Sequence, residues 1–171
     1  MIGNDIVDLA LAKKENNCQR KGFLDKIFTP NEQLLIKNAV DPELMIWNLW
    51  TRKEAAYKIY NRETNIRAYM PLKLECVWES ETMGTVCCNG FNFYTITKIS
   101  QECIYTIAVS QKEYFHQITT ITLETKICKI NGIPSIIEES TLVSHPVSIT
   151  HHGRFWEGIT LFNPTMQPLI K

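Results

Sequence analysis

The sequence lacks the features that mark membrane, secreted and nucleic-acid-binding proteins. It has no apolar run near the roughly 18 residues that a membrane-spanning helix requires, and its N-terminus has no basic stretch followed by an apolar one. Its formal net charge is zero, which disfavours nonspecific binding to nucleic acid. We therefore expect a cytoplasmic protein that binds neither membranes nor nucleic acid.

No repeat, low-complexity tract or Gly/Ser-rich linker divides the 171 residues. The hydrophobic fraction of 44% is sufficient for a packed core. We expect a single domain over residues 1–171, either as one unit or as two pseudo-symmetric halves of about 1–115 and 116–171.

The cysteines lack the spacing of a zinc site. No Cys-x-x-Cys pair occurs, and the adjacent Cys87 and Cys88 would face opposite sides of a strand. We therefore predict free thiols at all six positions, which are Cys18, Cys76, Cys87, Cys88, Cys103 and Cys128.

Helix signals are concentrated in the first part of the chain. Residues 2–9 predict a short strand that runs into a helix. Thr29-Pro30-Asn31-Glu32 combines a capping threonine, a proline suited to the first turn and the glutamate of a capping box. Asp41-Pro42 starts a second helix, which we expect to reach about Asn61 because no proline or glycine follows before that point.

Strand signals dominate after Pro71. The runs rich in β-branched, aromatic and cysteine residues are 72–78, 85–88, 91–97, 104–110, 118–130, 145–149 and 155–162. Asn89-Gly90 predicts a hairpin turn, and residues 135–140 are predicted to form a short helix. Helices that precede strands predict an α+β fold with a mainly antiparallel sheet packed against helices, one of them long.

The predicted long helix contains a carboxylate and an amine one turn apart. Its apolar residues form a single arc: Ile46, Leu49, Trp50, Ala56, Tyr57 and Tyr60. Glu54 and Lys58 lie at the margin of that arc, four residues apart. They could form a simple ion pair, or they could be a metal-binding carboxylate beside a phosphate-binding ammonium. Mg²⁺ needs only one or two protein carboxylates when phosphate oxygens and water complete its shell, so Asp5 and Glu54 would suffice.

Two further candidates are ambiguous when each is taken alone. Asp5, near the end of the first predicted strand, could be a turn former. His151 lies in a predicted turn, where an exposed histidine usually has no special role. Neither residue identifies a site without its neighbours.

Taken together, the motifs resemble a known family. Gly3–Leu9 is similar to the Gly-x-Asp-Ile signature that opens phosphopantetheinyl transferases of the holo-acyl-carrier-protein synthase type. Trp50–Lys58 matches the pattern of their second motif, Trp-Ser/Thr-x-Lys-Glu-Ala/Ser-x-x-Lys. Phe28–Glu32 resembles the intervening Phe-x-x-x-Glu element. Ser148–His151 resembles Ser-x-Ser-His and is preceded by Gly132-x-Pro134, similar to a Gly-Lys/Arg-Pro element.

The resemblance implies a fold, an activity and a set of site residues. It implies Mg²⁺-dependent transfer of 4′-phosphopantetheine from coenzyme A to a serine of an acidic acyl carrier protein, as in fatty acid biosynthesis, with release of 3′,5′-ADP. Asp5 and Glu54 occupy the positions of the Mg²⁺ ligands, with Glu54 also a candidate base. Lys58 occupies that of a lysine contacting coenzyme A phosphate. Thr150 and His151 fall where the family binds the nucleotide end of coenzyme A, although the neighbouring His152 could take that role.

Some positions depart from the family pattern. The larger, pseudo-dimeric branch has a third acidic ligand where this chain has Val7, so we expect water there; Asp8 matches an acidic residue of the smaller, trimeric type. The order of the motifs is that of the smaller type, but the chain is longer than members of that type. The oligomeric state could therefore be a monomer or a homotrimer. Residues 72–126 resemble the family only in strand character.

Basic residues cluster at 13–26, namely Lys13, Lys14, Arg20, Lys21 and Lys26. They could be a solvated surface or a docking surface for an acidic partner, and the resemblance favours docking of the carrier protein. Two other functions stay open: a magnesium-dependent nucleotide hydrolase, and an inactive family member that only binds coenzyme A or a carrier protein.

Overall fold

The computed structural model describes residues 1–15, 17–137 and 142–161. The helices are α1 (Leu9–Glu15), α2 (Phe23–Ile27), α3 (Pro30–Asn38) and the long α4 (Pro42–Thr64), with short 3₁₀ turns at Asn17–Gln19, Pro71–Lys73 and Lys112–Gln117. The strands are β1 (Ile2–Asp8), β2 (Glu75–Trp78), β3 (Met83–Cys88), β4 (Phe91–Ile99), β5 (Cys103–Val109), β6 (Ile118–Ile121), β7 (Cys128–Ile130), β8 (Ile133–Ile137), β9 (Ser144–His152) and β10 (Phe155–Leu161). The α+β prediction is confirmed.

Two antiparallel sheets of five strands form the β structure. The first has the order β1-β5-β4-β3-β2, and the second has the order β6-β10-β9-β8-β7. The main core contains buried residues of α4 and of the first sheet, among them Leu49, Ile59, Val86 and Phe93. A smaller cluster around Ile2, Val109 and Ile159 joins the two sheets. This arrangement places β1 between α4 and the second sheet.

Local sequence signals define the helix starts. Thr29 and Glu32 form the predicted capping box, in which each side chain accepts a hydrogen bond from the backbone N–H of the other residue. The Asp41 side chain caps α4 by accepting from the N–H of Leu44 at 3.0 Å. The helix continues to Thr64, three residues beyond the predicted end, because Asn65 closes it in the left-handed conformation (φ 59°).

Two strand predictions need correction. The run at 118–130 is interrupted after Ile121 by a turn in which the N–H of Thr125 donates to the carbonyl of Thr122, so it forms two strands. The helix predicted at 135–140 is wrong over 135–137, which belong to β8; residues 138–140 lie outside the described residues. The overlooked signal is a second Asn-Gly turn at Asn131-Gly132, where both residues have positive φ and join β7 to β8.

The predicted Asn89-Gly90 turn and the free thiols agree with the structure, whereas the turn predicted at residues 151–154 is shorter, because β9 continues through His152 and only Gly153 and Arg154 form the turn. Asn89 and Gly90 adopt positive φ angles of 48° and 84° and connect β3 to β4, as predicted. All six cysteines are free. Within the described ranges, no helix combines the length and apolar character that a membrane crossing requires.

Two charged residues of α4 are buried beside the predicted site residue Glu54. Arg52 donates to the carbonyls of Ser80 and Glu81 in the β2–β3 connection and to that of Met83 at the start of β3, at 2.8–3.0 Å. Lys53 pairs with Glu32 in the core. These bonds join α4 to α3 and to the first sheet. They also offset the cost of burying two charged side chains.

Candidate functional site

A close approach between β1 and α4 creates the site. A Cβ atom added to Gly3 would overlap the backbone carbonyl of Ala55, so only glycine permits this spacing. Asp5 lies two residues beyond Gly3 on β1, and Glu54 precedes Ala55 on α4. The Gly-x-Asp pattern therefore has a physical reason: the glycine brings the strand that carries Asp5 against the helix that carries Glu54.

Asp5 and Glu54 line one cavity of about 440 Å³. Its wall also includes Phe23, Trp47 and Trp50, which supply aromatic surface, and Arg20 of the basic cluster. The remaining lining residues are Ile6, Val7, Glu15, Asn17, His151 and His152. The cavity thus combines two adjacent carboxylates with an apolar wall and a basic rim.

The Glu54 carboxyl is strongly perturbed. Burial, followed by the negative charge of Asp5, raises its pKa to about 7. The Tyr69 hydroxyl lowers that pKa in part, although it forms no hydrogen bond of standard geometry among the described residues. The Asp5 charge disfavours ionisation of Glu54, and a divalent cation beside the two carboxyl groups would favour the ionised form of both.

Asp5 is held by two neighbours. The hydroxyl of Thr150 on β9 donates to Asp5 Oδ1 at 2.9 Å, and the Lys58 ammonium lies 3.6 Å from the same oxygen. Burial raises the Asp5 pKa, while Lys58 and Thr150 lower it. The carboxylate is therefore oriented by a strand from the second sheet and by an amine of α4.

Lys58 does not pair with Glu54. No ion pair within 4.0 Å joins these two side chains in the described structure, so the simple pairing at four-residue spacing is absent. The ammonium instead donates to the carbonyls of Asn4 at 2.6 Å and Ile149 at 3.1 Å. Burial lowers the pKa of Lys58, and the nearby carboxylates raise it.

Lys58 lines a second, smaller cavity rather than the one that holds Asp5 and Glu54. This cavity of about 220 Å³ also has Arg62, Gly132 and Pro134 in its wall, together with Tyr57, Asn61, Ile133 and Ile149. Because Lys58 contacts Asp5, the two cavities lie on either side of the Lys58–Asp5 pair.

The two histidines differ in their contacts. His151 is exposed on β9 and lines the carboxylate cavity. His152 is partly buried, and its Nδ1 accepts a hydrogen bond from the N–H of Asp8 at 2.9 Å. This bond requires an unprotonated Nδ1, which in the neutral ring leaves the proton on Nε2. Of the two, His151 is the histidine free to turn toward a ligand.

Asp8 is a structural residue that the sequence left unassigned. Its carboxylate accepts from the N–H groups of Ala10 and Leu11 at the start of α1 and from the Arg154 guanidinium at 2.9 and 3.1 Å. These bonds, those to Arg154 above all, hold the Asp8 pKa well below its ordinary range. Gly153 makes room for them, since a Cβ there would meet the carboxylate. The Asp8–Arg154 pair joins β1 to the β9–β10 turn.

The carboxylate pair fits a hard divalent cation. Mg²⁺ is commonly held by one or two carboxylates and keeps several waters or phosphate oxygens. Val7 is a buried core residue and offers no ligand at the third position. No cluster of three or more potential ligands from His, Cys, Asp and Glu occurs among the described residues, so protein side chains alone would not saturate an ion. Such a donor set would leave coordination positions open for water and substrate oxygens.

Comparison with known sequences identifies the family of this chain. Residues 1–117 match the 4′-phosphopantetheinyl transferase superfamily. The chain belongs to this superfamily. The matched range includes residues 72–117, where the sequence showed only strand character in common with the family, and it ends before the Ser148–His151 motif.

Shorter similarity connects the chain to individual members of the family. Holo-acyl-carrier-protein synthases of Campylobacter jejuni strain 81-176, strain RM1221 and a strain of subspecies doylei are each 40% identical to it over 57 residues. The aligned part is 33% of this chain and 46% of each synthase. The chain thus spans about half the length of the curated relatives it matches.

Proposed function

We propose that this protein transfers 4′-phosphopantetheine from coenzyme A to a serine of an apo acyl carrier protein, in a Mg²⁺-dependent reaction that releases 3′,5′-ADP. The supporting observation is that Asp5 and Glu54, the two candidate metal ligands, line one cavity in a member of the phosphopantetheinyl transferase superfamily. The six free cysteines suit a reducing compartment, which supports a cytoplasmic location.

Asp5 and Glu54 would hold the Mg²⁺ ion. Water would fill the coordination position that an acidic residue supplies in the larger branch, because this chain has Val7 there. When bound, the ion would neutralise charge on the diphosphate of coenzyme A. Thr150 and Lys58 keep the Asp5 carboxylate in place from two sides. Fixed orientation of the reacting groups supplies much of the rate enhancement in phosphoryl transfer.

The reaction also needs an acceptor for the serine proton. The serine oxygen forms a bond to the β-phosphorus of coenzyme A, the bond from that phosphorus to the oxygen of 3′,5′-ADP breaks, and the hydroxyl proton is released. Glu54 is the candidate base, directly or through a water molecule that it orients. The Glu54 pKa of about 7 applies to the metal-free protein, and a bound Mg²⁺ would lower it, so a water molecule that Glu54 orients could accept the proton in its place.

The coenzyme would span both cavities. Its diphosphate would lie beside Asp5 and Glu54, where His151 is exposed and free to contact a phosphate. The second cavity, with Lys58 and the Gly132–Pro134 segment in its wall, offers an amine and backbone groups to the nucleotide end. In this arrangement the Lys58 ammonium would neutralise Asp5, and its solvent-exposed side would contact a phosphate oxygen.

The carrier protein would dock on the basic cluster. Lys13, Lys14, Arg20, Lys21 and Lys26 are exposed, and Arg20 also lines the carboxylate cavity. A basic surface beside the reacting centre attracts an acidic carrier and holds its serine near the coenzyme.

A mass-spectrometric assay tests the proposal. The protein is incubated with coenzyme A, Mg²⁺ and a panel of apo carrier proteins, and the carrier is weighed before and after the reaction. Addition of one phosphopantetheine group in the presence of Mg²⁺, and not in EDTA, is the expected result. Coenzyme A turnover without a carrier would indicate a nucleotide hydrolase. Binding of coenzyme A or carrier without transfer to any panel member would indicate an inactive family member.

A further inference from the structure

The outer edge of β1 meets β9 through side chains. The inner edge of β1 pairs with β5 along its whole length. On the outer edge the N–H of Asn4 donates to Ser148 Oγ at 3.1 Å, and the N–H of Asp8 donates to His152 Nδ1 at 2.9 Å. Asn4 and Asp8 are four residues apart, as are Ser148 and His152, so β1 and β9 run parallel in a fixed register. Side chains of β9 take the place of direct backbone pairing at these two points.

The carbonyl groups of the same junction are bridged by two cations of α4. Lys58 joins the carbonyls of Asn4 and Ile149. Arg62 donates from Nη1 to the carbonyl of Ile2 and from Nη2 to that of Val147, both at 2.9 Å. The Arg62 bridge lies one helical turn along α4 and two residues along each strand from the Lys58 bridge. The two cations therefore fix the separation of β1 and β9 at two successive points.

This separation determines the position of Asp5. The Thr150–Asp5 hydrogen bond crosses the same junction, one residue beyond the carbonyls that Lys58 bridges. A shift of β9 along or away from β1 would carry the Thr150 hydroxyl off Asp5 Oδ1. The planar guanidinium of Arg62, with one nitrogen on each strand, is suited to prevent such a shift.

We propose that Arg62 is a positioning residue: it holds β9 beside β1 and, through the Thr150–Asp5 bond, keeps Asp5 oriented toward a divalent cation. None of the motifs that resemble the family contains Arg62. The inference rests on the proposed function in one respect, the binding of a metal ion by Asp5 and Glu54.

Metal binding, measured without turnover, tests this role. Mn²⁺ replaces Mg²⁺, and its dissociation constant is measured by electron paramagnetic resonance for the wild type, Arg62→Met and Arg62→Lys. Loss of a residue that orients a metal ligand typically weakens metal affinity by about 10–100-fold, so Arg62→Met should raise the constant by at least about tenfold. Arg62→Lys should bind Mn²⁺ nearly as tightly as the wild type, because one ammonium can bridge both strands as Lys58 does. Lys98→Met removes an exposed cation of β4 and serves as the control.

Amide hydrogen exchange of β1 and β9 provides a second readout. In Arg62→Met, faster exchange of the Asn4 and Asp8 amides is expected together with weaker Mn²⁺ binding. A lower melting temperature with unchanged Mn²⁺ affinity would show that Arg62 serves stability alone and would overturn the inference. If Arg62→Met does not fold, Arg62→Gln, which can reach only one strand, takes its place with the same expected weakening. If the wild type binds no Mn²⁺, the proposed metal site is wrong, and this inference is wrong with it.

Discussion

The ammonium of Lys53 lies 2.7 Å from the Glu32 carboxylate, and neither side chain is exposed to solvent. Lys53 also donates to the carbonyl of Pro71, while Glu32 accepts from the N–H groups of Thr29 and Cys76. The pair joins α4, α3 and the start of β2. Since Glu54 is the next residue on α4, this buried network helps to fix the part of the helix that carries the candidate base.

Removal of one partner from this pair should be strongly destabilising. Lys53→Met leaves the Glu32 carboxylate buried without its counter-charge, which typically costs about 3–5 kcal/mol. Urea unfolding of Lys53→Met, Glu32→Gln and the double variant measures the effect. The double variant should lose less stability than the sum of the two single variants, because the interaction can be lost only once. Additive losses would show that the two charges are not coupled.

Glu54→Gln should abolish Mg²⁺-dependent transfer and leave the fold intact. The substitution keeps the shape of the side chain and removes the charge that the metal ion and the serine proton require. The mass shift of the carrier protein measures activity, and circular dichroism measures folding. Glu15→Gln is the matched control, since Glu15 is an exposed carboxylate that lines the same cavity, and this variant should retain transfer close to the wild-type rate. Near-normal turnover by Glu54→Gln would refute its assignment as a ligand and base.

The elevated Glu54 pKa predicts a specific pH dependence of stability. In the metal-free protein the pKa is raised from 4.5 to about 7, so the folded state keeps a proton that the unfolded chain releases. This contribution to stability is fully present below pH 4.5 and is lost as the pH rises through about 7. In EDTA, the unfolding free energy of the wild type should therefore fall relative to that of Glu54→Gln as the pH is raised from 5 to 8. A pH-independent difference would contradict the elevated pKa.

Mg²⁺ binding should respond to the same proton. The ion competes with a proton for Glu54, so its affinity should rise from pH 6 to pH 8, with proton release on binding below about pH 7. Isothermal titration calorimetry in buffers of different ionisation enthalpy measures both quantities. An affinity that is equal at the two pH values would place the metal on groups other than Glu54.

Charge reversal in the basic cluster should impair recognition of the carrier protein. Lys13→Glu combined with Lys14→Glu should raise the KM for an acidic carrier by about tenfold at low ionic strength and leave the affinity for coenzyme A unchanged. The effect should shrink as salt increases, because the charges are exposed and therefore screened. Lys126→Glu with Lys129→Glu, in the second half of the chain, is the matched control. An unchanged KM at low salt would exclude this docking surface.

The two adjacent histidines should respond differently to replacement by alanine. His151→Ala should raise the KM for coenzyme A without lowering the melting temperature, because His151 is exposed at the cavity. His152→Ala should cost about 1–3 kcal/mol of stability, because the N–H of Asp8 loses its acceptor. Steady-state kinetics and urea unfolding separate the two effects. The opposite pattern would assign the ligand contact to His152.

Much of the local structure could be predicted because its signals act over a few residues. The capping box at Thr29 and Glu32 and the Asn89-Gly90 hairpin were predicted from adjacent residues and are present. The helix predicted at 135–140 was wrong over the part that is described, because β8 is stabilised by its pairing with both β7 and β9. Pairing with distant strands outweighs weak local preference.

The sequence by itself determined the α+β class, the long helix that carries Glu54 and Lys58, and the motifs that resemble one transferase family. Only the tertiary structure decided the partners of these residues. It placed Lys58 on the carbonyls of β1 and β9 rather than on Glu54, and it brought Thr150 to Asp5 across 145 positions of the chain. The reason is physical: helix caps and tight turns depend on neighbouring residues, whereas a buried amine or carboxylate takes its partners from whichever strands the completed fold places beside it.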